Sequence, residues 1–87
     1  MLIIHGHARD HGVPDDAILA TFRNVVDCAV YEHEDGTVRW VMAAVDDVGH
    51  PLEAVWIELG EGNYLAIHCQ RLRKATIDLI TRLKETR

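Results

Sequence analysis

The dipeptide Asp35-Gly36 restricts the fold of this chain more than any other feature, because strand-forming residues lie on both sides of it. Asp-Gly accepts the positive φ angles that a tight hairpin turn requires. Residues 28–33 before it and residues 37–45 after it are rich in β-branched, aromatic and small apolar side chains. We therefore predict an antiparallel hairpin centred on Asp35-Gly36.

Two further strands are predicted after this hairpin, at residues 52–59 and 64–70. Glycine-containing turns at residues 46–51 and 60–63 separate them from their neighbours. Consecutive hairpins make a four-stranded antiparallel meander. Strict alternation along the last strand predicts two faces, with Leu65, Ile67 and Cys69 on one and Tyr64, Ala66, His68 and Gln70 on the other.

Helices are predicted on both sides of the meander in the chain. A short turn at residues 7–11 ends at Gly12, and a helix follows from Pro14 to about Asn24. A closing helix is predicted over residues 71–85 from its apolar stripe. Residues 2–5 fit either a short strand or an ordered arm. The order predicts one α+β domain, residues 1–87, with its helices on one face of an antiparallel sheet.

The composition limits the functions that this chain can have. With 87 residues and 48% hydrophobic content, it has enough apolar side chains for a single core. Its formal net charge of −5 opposes broad, sequence-independent binding to nucleic acid, which depends on neutralising phosphates. Any contact with nucleic acid must therefore be local or assisted by a partner.

Cysteine usage and the first residues predict the compartment. Cys28 and Cys69 both lie in apolar runs, and we expect free thiols in a reducing environment. The opening run at residues 1–4 is too short for the core of a signal peptide, and no apolar run has the length of a membrane span. These features predict a cytoplasmic protein without a membrane partner.

A basic cluster at residues 67–74 is the first candidate site. RNA cleavage without a metal needs a base for the 2′-hydroxyl proton, cations for the phosphate and an acid for the leaving oxygen. His68 can fill either proton role, and Arg71 and Arg73 can bind phosphate. The structural alternative is a partly buried histidine next to two solvated arginines.

Other residues are candidates for substrate binding. His7 and His11 are four positions apart with Arg9 between them, so the three can complete a phosphate site. The alternative is that they cap the helix and pair with carboxylates. Arg39 and Lys74 are further candidate cations, and Tyr64 is a candidate for stacking on a base.

No metal or other cofactor is predicted. His5, His7 and His11 are close together, but no cysteine pair or His-Glu-x-x-His motif accompanies them. The acidic turn at Asp46-Asp47 lacks the alternating oxygen ligands of a calcium loop.

Several strings in the chain, taken in order, resemble the BrnT-like branch of the RelE/ParE superfamily of bacterial toxins. They are HARDHGV (7–13), DAIL (16–19), RN (23–24), RWVMAAV (39–45), GHPLEAVWI (49–57), AIH (66–68) and RLRKA (71–75). The resemblance covers nearly the whole chain. It implies a RelE/ParE-like (microbial RNase-like) fold and a metal-independent endoribonuclease that inhibits translation. It also implies a cognate antitoxin protein as partner, commonly of the ribbon-helix-helix type.

The net charge separates this chain from that family, whose members are typically basic. A second hypothesis therefore stays open, a non-catalytic module of the same fold that binds a protein partner or forms a homodimer. RNA cleavage by the pure protein in the presence of a chelator distinguishes the two.

Overall fold

The predicted hairpin is present in a computed structural model, which describes residues 1–86. Strands β2 (Val25–Glu32) and β3 (Val38–Val45) pair antiparallel on either side of Asp35-Gly36. Gly36 has a φ of 87°, which explains why glycine occupies this position. The Asp35 carboxylate accepts hydrogen bonds from the backbone N–H and the hydroxyl of Thr37, which stabilises the turn.

The structure is α+β, and its single sheet is larger than predicted. Its remaining elements are β1 (Leu2–Ile4), a 3₁₀ turn (Gly6–Arg9), α1 (Asp15–Arg23), β4 (Pro51–Gly60), β5 (Asn63–Arg71) and α2 (Lys74–Glu85). The strand order is β1-β5-β4-β3-β2, with β1 parallel to β5 and all other neighbours antiparallel. The sheet is thus mixed and five-stranded, where the sequence predicted a four-stranded antiparallel one. Three residues are too few for periodicity to reveal β1, which is a strand only because β5 is available to pair with it.

The two helices cover opposite faces of the sheet, so the prediction that they share one face is wrong. Ile18 of α1 is fully buried in a core that includes Met42 and Trp56. Ile80 of α2 is buried in a second core that includes Val41. Both Val41 and Met42 of β3 are buried, so this central strand has two apolar faces that need cover. Within residues 1–86, no helix has the length and apolar character needed to cross a bilayer.

A register shift in β5 changes the predicted assignment of its faces. Opposite β4, Ala66 pairs with Trp56 but His68 pairs with Val55, so Ile67 is an extra residue in the ladder. One extra residue reverses the alternation beyond it. Cys69 therefore lies in the α1-side core with Ala66, where burial raises the pKa of its thiol to about 11. His68 lies on the face that α2 covers.

The end of β5 also differs from the prediction. The strand extends to Arg71, and α2 begins at Lys74 instead of Arg71. Arg73 has extended backbone angles, φ −114° and ψ 152°, and precedes the helix. Arg71 and Arg73 therefore lie at a strand end and at a helix cap, not on one helical turn.

A buried hydrogen bond joins α1 to the centre of the sheet. Trp56 is fully buried, and its indole Nε1–H donates to Thr21 Oγ1 at 3.2 Å. The Thr21 hydroxyl in turn donates to the carbonyl of Ile18 at 2.6 Å. The threonine thus satisfies an indole N–H that has no access to water.

We expect Thr21→Val to lower the free energy of unfolding by about 1–3 kcal/mol, because it keeps the side-chain shape but leaves the Trp56 N–H buried without an acceptor. Urea denaturation followed by Trp fluorescence measures the change. The matched control is Thr81→Val on α2, where an exposed hydroxyl donates to the Ile77 carbonyl. An equal loss in both variants would show that the bond to the helix backbone, and not the indole bond, is responsible.

Candidate functional site

The carboxylate of Glu53 is a buried charge that several polar groups of the described chain surround. Glu53 lies on β4, and its side chain is only 2% exposed. It accepts hydrogen bonds from His68 Nε2 at 2.9 Å, from the backbone N–H of Arg73 at 2.9 Å and from Arg73 Nη2 at 2.7 Å. A fourth bond comes from Arg73 Nε at 3.2 Å. We call these three residues the Glu53 cluster.

Glu53 is ionised under all ordinary conditions. Burial by itself would raise the pKa of this carboxyl group, but hydrogen bonds from Arg73, Thr76 and His68 outweigh burial and lower the pKa to about 2. A buried carboxylate needs such partners because an uncompensated charge in the interior is very unfavourable. The cluster therefore holds β4, β5 and the start of α2 together.

Sequence reasoning did not identify Glu53 as a site residue. The available signal was its position between Leu52 and Ala54 in a mostly apolar strand, where a charged side chain requires a partner. The partners themselves could not be identified, because the β5 register shift turns His68 towards Glu53. Without that extra residue, strict alternation would place His68 on the opposite face.

A groove of about 690 Å³ lies at the end of β5 and contains Arg71. We call it the Arg71 groove. Its polar lining consists of His11, Asp46, His50 and Arg71, and its remaining lining is Gly12, Val13, Pro14, Ala17, Pro51, Leu52 and Leu72. An apolar groove with a few converging polar groups is the usual form of a ligand site. The structure thus separates Arg71 from Arg73, whose guanidinium is bound to Glu53.

His11 connects the groove to the Glu53 cluster. Its ring is 5.5 Å from the His68 ring, centroid to centroid, in an edge-on arrangement. The 3₁₀ turn and the residues after it lie beside β5, which explains why His11 and His68 meet although 57 positions separate them in the sequence. Two histidines predicted for different clusters are therefore neighbours. His11 lines the groove with Arg71, whereas His68 lines a separate cavity with Glu53 and Arg73.

The other predicted residues do not converge on the groove. His7 contacts Asp10 at 3.2 Å, and its ring stacks on that of His5 at 4.9 Å. The Arg9 guanidinium donates two hydrogen bonds to the Asp15 carboxylate, at 2.7 and 2.8 Å, and lowers the pKa of that group.

The remaining three candidates are also engaged elsewhere. Arg39 pairs with Asp35 at 2.9 Å, and Lys74 pairs with Asp78 at 2.8 Å. The ring of Tyr64 lies 4.9 Å from that of Phe22 at the border of the α1-side core. In the part of the chain described, no group of three or more His, Cys, Asp or Glu side chains is arranged to hold a metal ion.

A second histidine–carboxylate pair lies in the groove, and sequence reasoning did not select it. The acidic turn containing Asp46 was considered only as a calcium loop, yet Asp46 is mostly buried and bonded to His50 Nδ1 at 2.9 Å. Its pKa is lowered, chiefly by the hydrogen bond from the His50 backbone N–H.

Comparison with known proteins does not assign a function to these residues. The chain matches no protein-family model, no curated protein sequence and no solved structure. The Glu53 cluster and the Arg71 groove are therefore the features of the structure that bear on function.

We expect the stability of the protein to fall as the pH drops from about 4.5 to about 2, since Glu53 takes up a proton more readily when unfolded. The low pKa of folded Glu53 contributes stability that is complete above about pH 4.5 and is lost as the pH falls through about 2. The loss amounts to about 3 kcal/mol. Urea denaturation at a series of pH values measures it.

Glu53→Gln is expected to lower stability near pH 7 and to remove this part of the pH dependence. Glu34→Gln is the control, because it removes an exposed carboxylate. The unmodified protein and the two variants share all other acidic groups, so a difference between the variants is due to Glu53. If Glu53→Gln has the same pH dependence as the unmodified protein, Glu53 is not the group responsible.

Proposed function

We propose that this chain is a metal-independent endoribonuclease, the toxin of a type II toxin–antitoxin pair, with its catalytic site at the Arg71 groove. The observation that carries the proposal is that His11 lines the groove with Arg71 while its ring lies beside that of His68. These are the residue types that phosphodiester cleavage requires in the absence of a metal. The resemblance to BrnT-like toxins supports the same reaction.

Each of these residues has a role in the proposed reaction. Arg71 is exposed, and within residues 1–86 no side chain forms a hydrogen bond with its guanidinium, so it is available to bind a phosphate. His68 acts as acid or base. Glu53 holds its Nε2, which leaves Nδ1 as the nitrogen that can exchange a proton with the substrate. His11 lies between His68 and the groove and contacts the substrate.

Arg73 has a different role from the one that the sequence suggested. Its guanidinium and its backbone N–H are bound to Glu53, so it neutralises the carboxylate that orients His68. In the proposed site it is a positioning residue, and Arg71 is the phosphate contact. A bidentate guanidinium–carboxylate pair of this kind is well suited to fixing geometry.

The charge of the chain determines how RNA is bound. A net charge of −5 cannot attract RNA over a wide surface, and the groove itself contains the carboxylate of Asp46. A short stretch of RNA at Arg71 is therefore the substrate, and an antitoxin protein is the partner that controls access in the cytoplasm. The proposal includes no metal and no other cofactor.

The purified protein is expected to cleave RNA in the presence of EDTA. His68→Ala is expected to lower the rate by about 100-fold or more, since a positioned proton donor or acceptor contributes that much. Arg71→Ala is expected to have an effect of about the same size, because a cation placed at the phosphate stabilises the charge of the transition state. Gel analysis of a labelled RNA measures the rate, and induced expression in bacteria reports growth arrest. The control is Arg82→Ala, which removes an exposed arginine of α2 outside the groove.

RNA cleavage that depends on added metal, or that is unchanged in Arg71→Ala and His68→Ala, would contradict the proposal. So would growth arrest that persists when both residues are replaced. Equal loss in Arg82→Ala would indicate a general effect of charge instead of a site.

A second candidate function is a protein-interaction module, and the outer edge of β2 favours it. β2 is the last strand of the sheet and has eight residues without proline or lysine. Its first two residues, Val25 and Val26, are exposed, Val26 by 73%. Unpaired backbone groups on such an edge bind an additional strand. The other edge strand, β1, has only three residues.

This alternative predicts association that Val26→Lys abolishes, because a lysine on an edge strand opposes pairing. Light scattering after size exclusion detects a homodimer. Co-purification with the product of a neighbouring gene supports this alternative only if the purified protein neither cleaves RNA nor slows growth. Leu59→Lys is the control, since Leu59 is also exposed but lies on β4. A protein that stays monomeric, captures no partner and cleaves RNA excludes this function.

A further inference from the structure

We propose that His50, oriented by Asp46, is a second proton-transfer residue of the Arg71 groove and accepts the proton of the ribose 2′-hydroxyl. This inference rests on the proposed function and goes beyond it, because it assigns the base and with it the chemical class of the substrate. A substrate without a 2′-hydroxyl can bind but cannot react.

The turn between β3 and β4 fixes the position of the His50 ring. Asp46 Oδ1 accepts the backbone N–H groups of Val48 at 3.0 Å and His50 at 2.8 Å. Asp46 Oδ2 is 2.9 Å from His50 Nδ1. The same carboxylate therefore shapes the turn and holds the imidazole. Asp46 is 16% exposed whereas His50 is 75% exposed, so the carboxylate is sheltered and the ring is accessible.

The hydrogen bond with Asp46 determines which nitrogen of His50 is free to react. An ionised carboxylate only accepts, so Nδ1 must carry the proton of this bond. In the neutral imidazole the lone pair is then on Nε2. Asp46 is ionised in the folded protein, since the hydrogen bonds from the turn and from His50 lower its pKa. His50 is thus kept in the tautomer that a base requires.

The sheet brings His50 close to Arg71. Leu52, two residues after His50, is paired with Arg71 across β4 and β5. The backbone N–H of Leu72 also donates to the carbonyl of Pro51 at 3.3 Å. Both His50 and Arg71 line the groove, while His11 reaches it from the segment before α1. A phosphate bound by Arg71 therefore has histidines near it from two separate parts of the chain.

The reaction is balanced with these groups. His50 Nε2 takes the proton from the 2′-hydroxyl, and the 2′-oxygen forms a bond to phosphorus. The bond from phosphorus to the 5′-oxygen breaks, and His68 supplies a proton to that oxygen. The products are a 2′,3′-cyclic phosphate and a 5′-hydroxyl. His50 then returns its proton, and His68 regains one, through water.

Several other charged or titratable groups lie near His50. Arg71 and His11 share the groove with it, and Asp46 is bonded to it. Asp16 and Asp47 line a smaller cavity that adjoins the groove at Asp46. Asp47 is itself bound by Arg23 at 3.2 Å and by Asn24 at 3.0 Å.

Two substitutions test the inference. His50→Gln removes the base and is expected to lower kcat by about 100-fold or more. Asp46→Asn keeps an oxygen for the two N–H groups of the turn but replaces the acceptor of Nδ1. It is expected to lower kcat by about tenfold or more and to shift the acidic limb of the pH–rate profile, with KM little changed.

The control is His33→Gln. His33 also lies beside an aspartate in a hairpin turn, with Nδ1 3.3 Å from Asp35, but that turn is outside the groove. The His33→Gln protein is expected to cleave RNA at the rate of the unmodified protein. Long-range ¹H–¹⁵N NMR reports the tautomer of His50 directly, and we expect Nδ1–H in the unmodified protein and a changed tautomer ratio in Asp46→Asn.

A non-cleavable probe separates binding from chemistry. An oligonucleotide that has the sequence of the cleaved RNA but contains 2′-deoxyribose is expected to shift the NMR resonances of the His50 ring and to remain intact. Cleavage of this probe would overturn the assignment of the 2′-hydroxyl as the reacting group.

The outcomes distinguish this inference from the proposed function. If the unmodified protein cleaves RNA and His50→Gln cleaves at the same rate as His33→Gln, RNA cleavage stands and the role of His50 is refuted. If the unmodified protein does not cleave RNA, both are refuted. If Asp46→Asn lowers the melting temperature, its loss of activity reflects lost stability. The rate of His50→Gln then tests the role of His50 by itself.

Discussion

The ionised carboxylate of Glu53 is the group on which the arrangement of this structure depends. It is buried on a central strand and joins β4 to His68 of β5 and to Arg73 at the start of α2. Helix α2 has no side-chain cap at its N-terminus and no acidic residue in its first turn. Glu53 supplies what the helix lacks locally, an acceptor for the Arg73 N–H and a negative charge near the positive helix end. Removing one partner of such a pair typically costs about 3–5 kcal/mol.

The same interaction places the candidate site. Glu53 binds the side chains of Arg73 and His68, whereas Arg71 lines the groove and is not bound to this carboxylate. His68 has one nitrogen fixed by the buried carboxylate while its ring contacts His11. One strand end therefore provides both an oriented imidazole and an available guanidinium. The Asp46–His50 pair lies in the turn between β3 and β4, and the pairing of Leu52 with Arg71 brings this turn close to Arg71.

The elements with strong local signals were predictable from the sequence, and those that depend on distant pairing were not. The Asp35-Gly36 hairpin, the α1 stripe and the α+β class follow from turn chemistry and periodicity, which act over a few residues. Strand β1 did not, because its three residues carry no periodic signal. The sequence also did not reveal that α1 and α2 pack on opposite faces of the sheet, because this depends on contacts between distant elements. The free Cys28 and Cys69 thiols were predicted correctly.

The candidate site was predictable in part. His68, Arg71 and His11 were selected as residue types that bind and cleave phosphodiesters, and the structure places His11 beside His68 and in one groove with Arg71. Glu53, Asp46 and His50 were missed, because a carboxylate becomes informative only when its partner is known. Arg73 was predicted to bind phosphate from its place in the basic cluster at residues 67–74, although its guanidinium is bound to Glu53.

The sequence by itself determined the elements and the chemical inventory of this protein: strands around a glycine turn, amphipathic helices, and a few histidines and arginines in an acidic chain. The tertiary structure alone decided which of those side chains meet. A single extra residue at Ile67 moves His68 to the face of Glu53 and Cys69 to the core. The physical reason is that side-chain direction in a strand has a period of two, so one register shift far from any local signal reverses every contact beyond it.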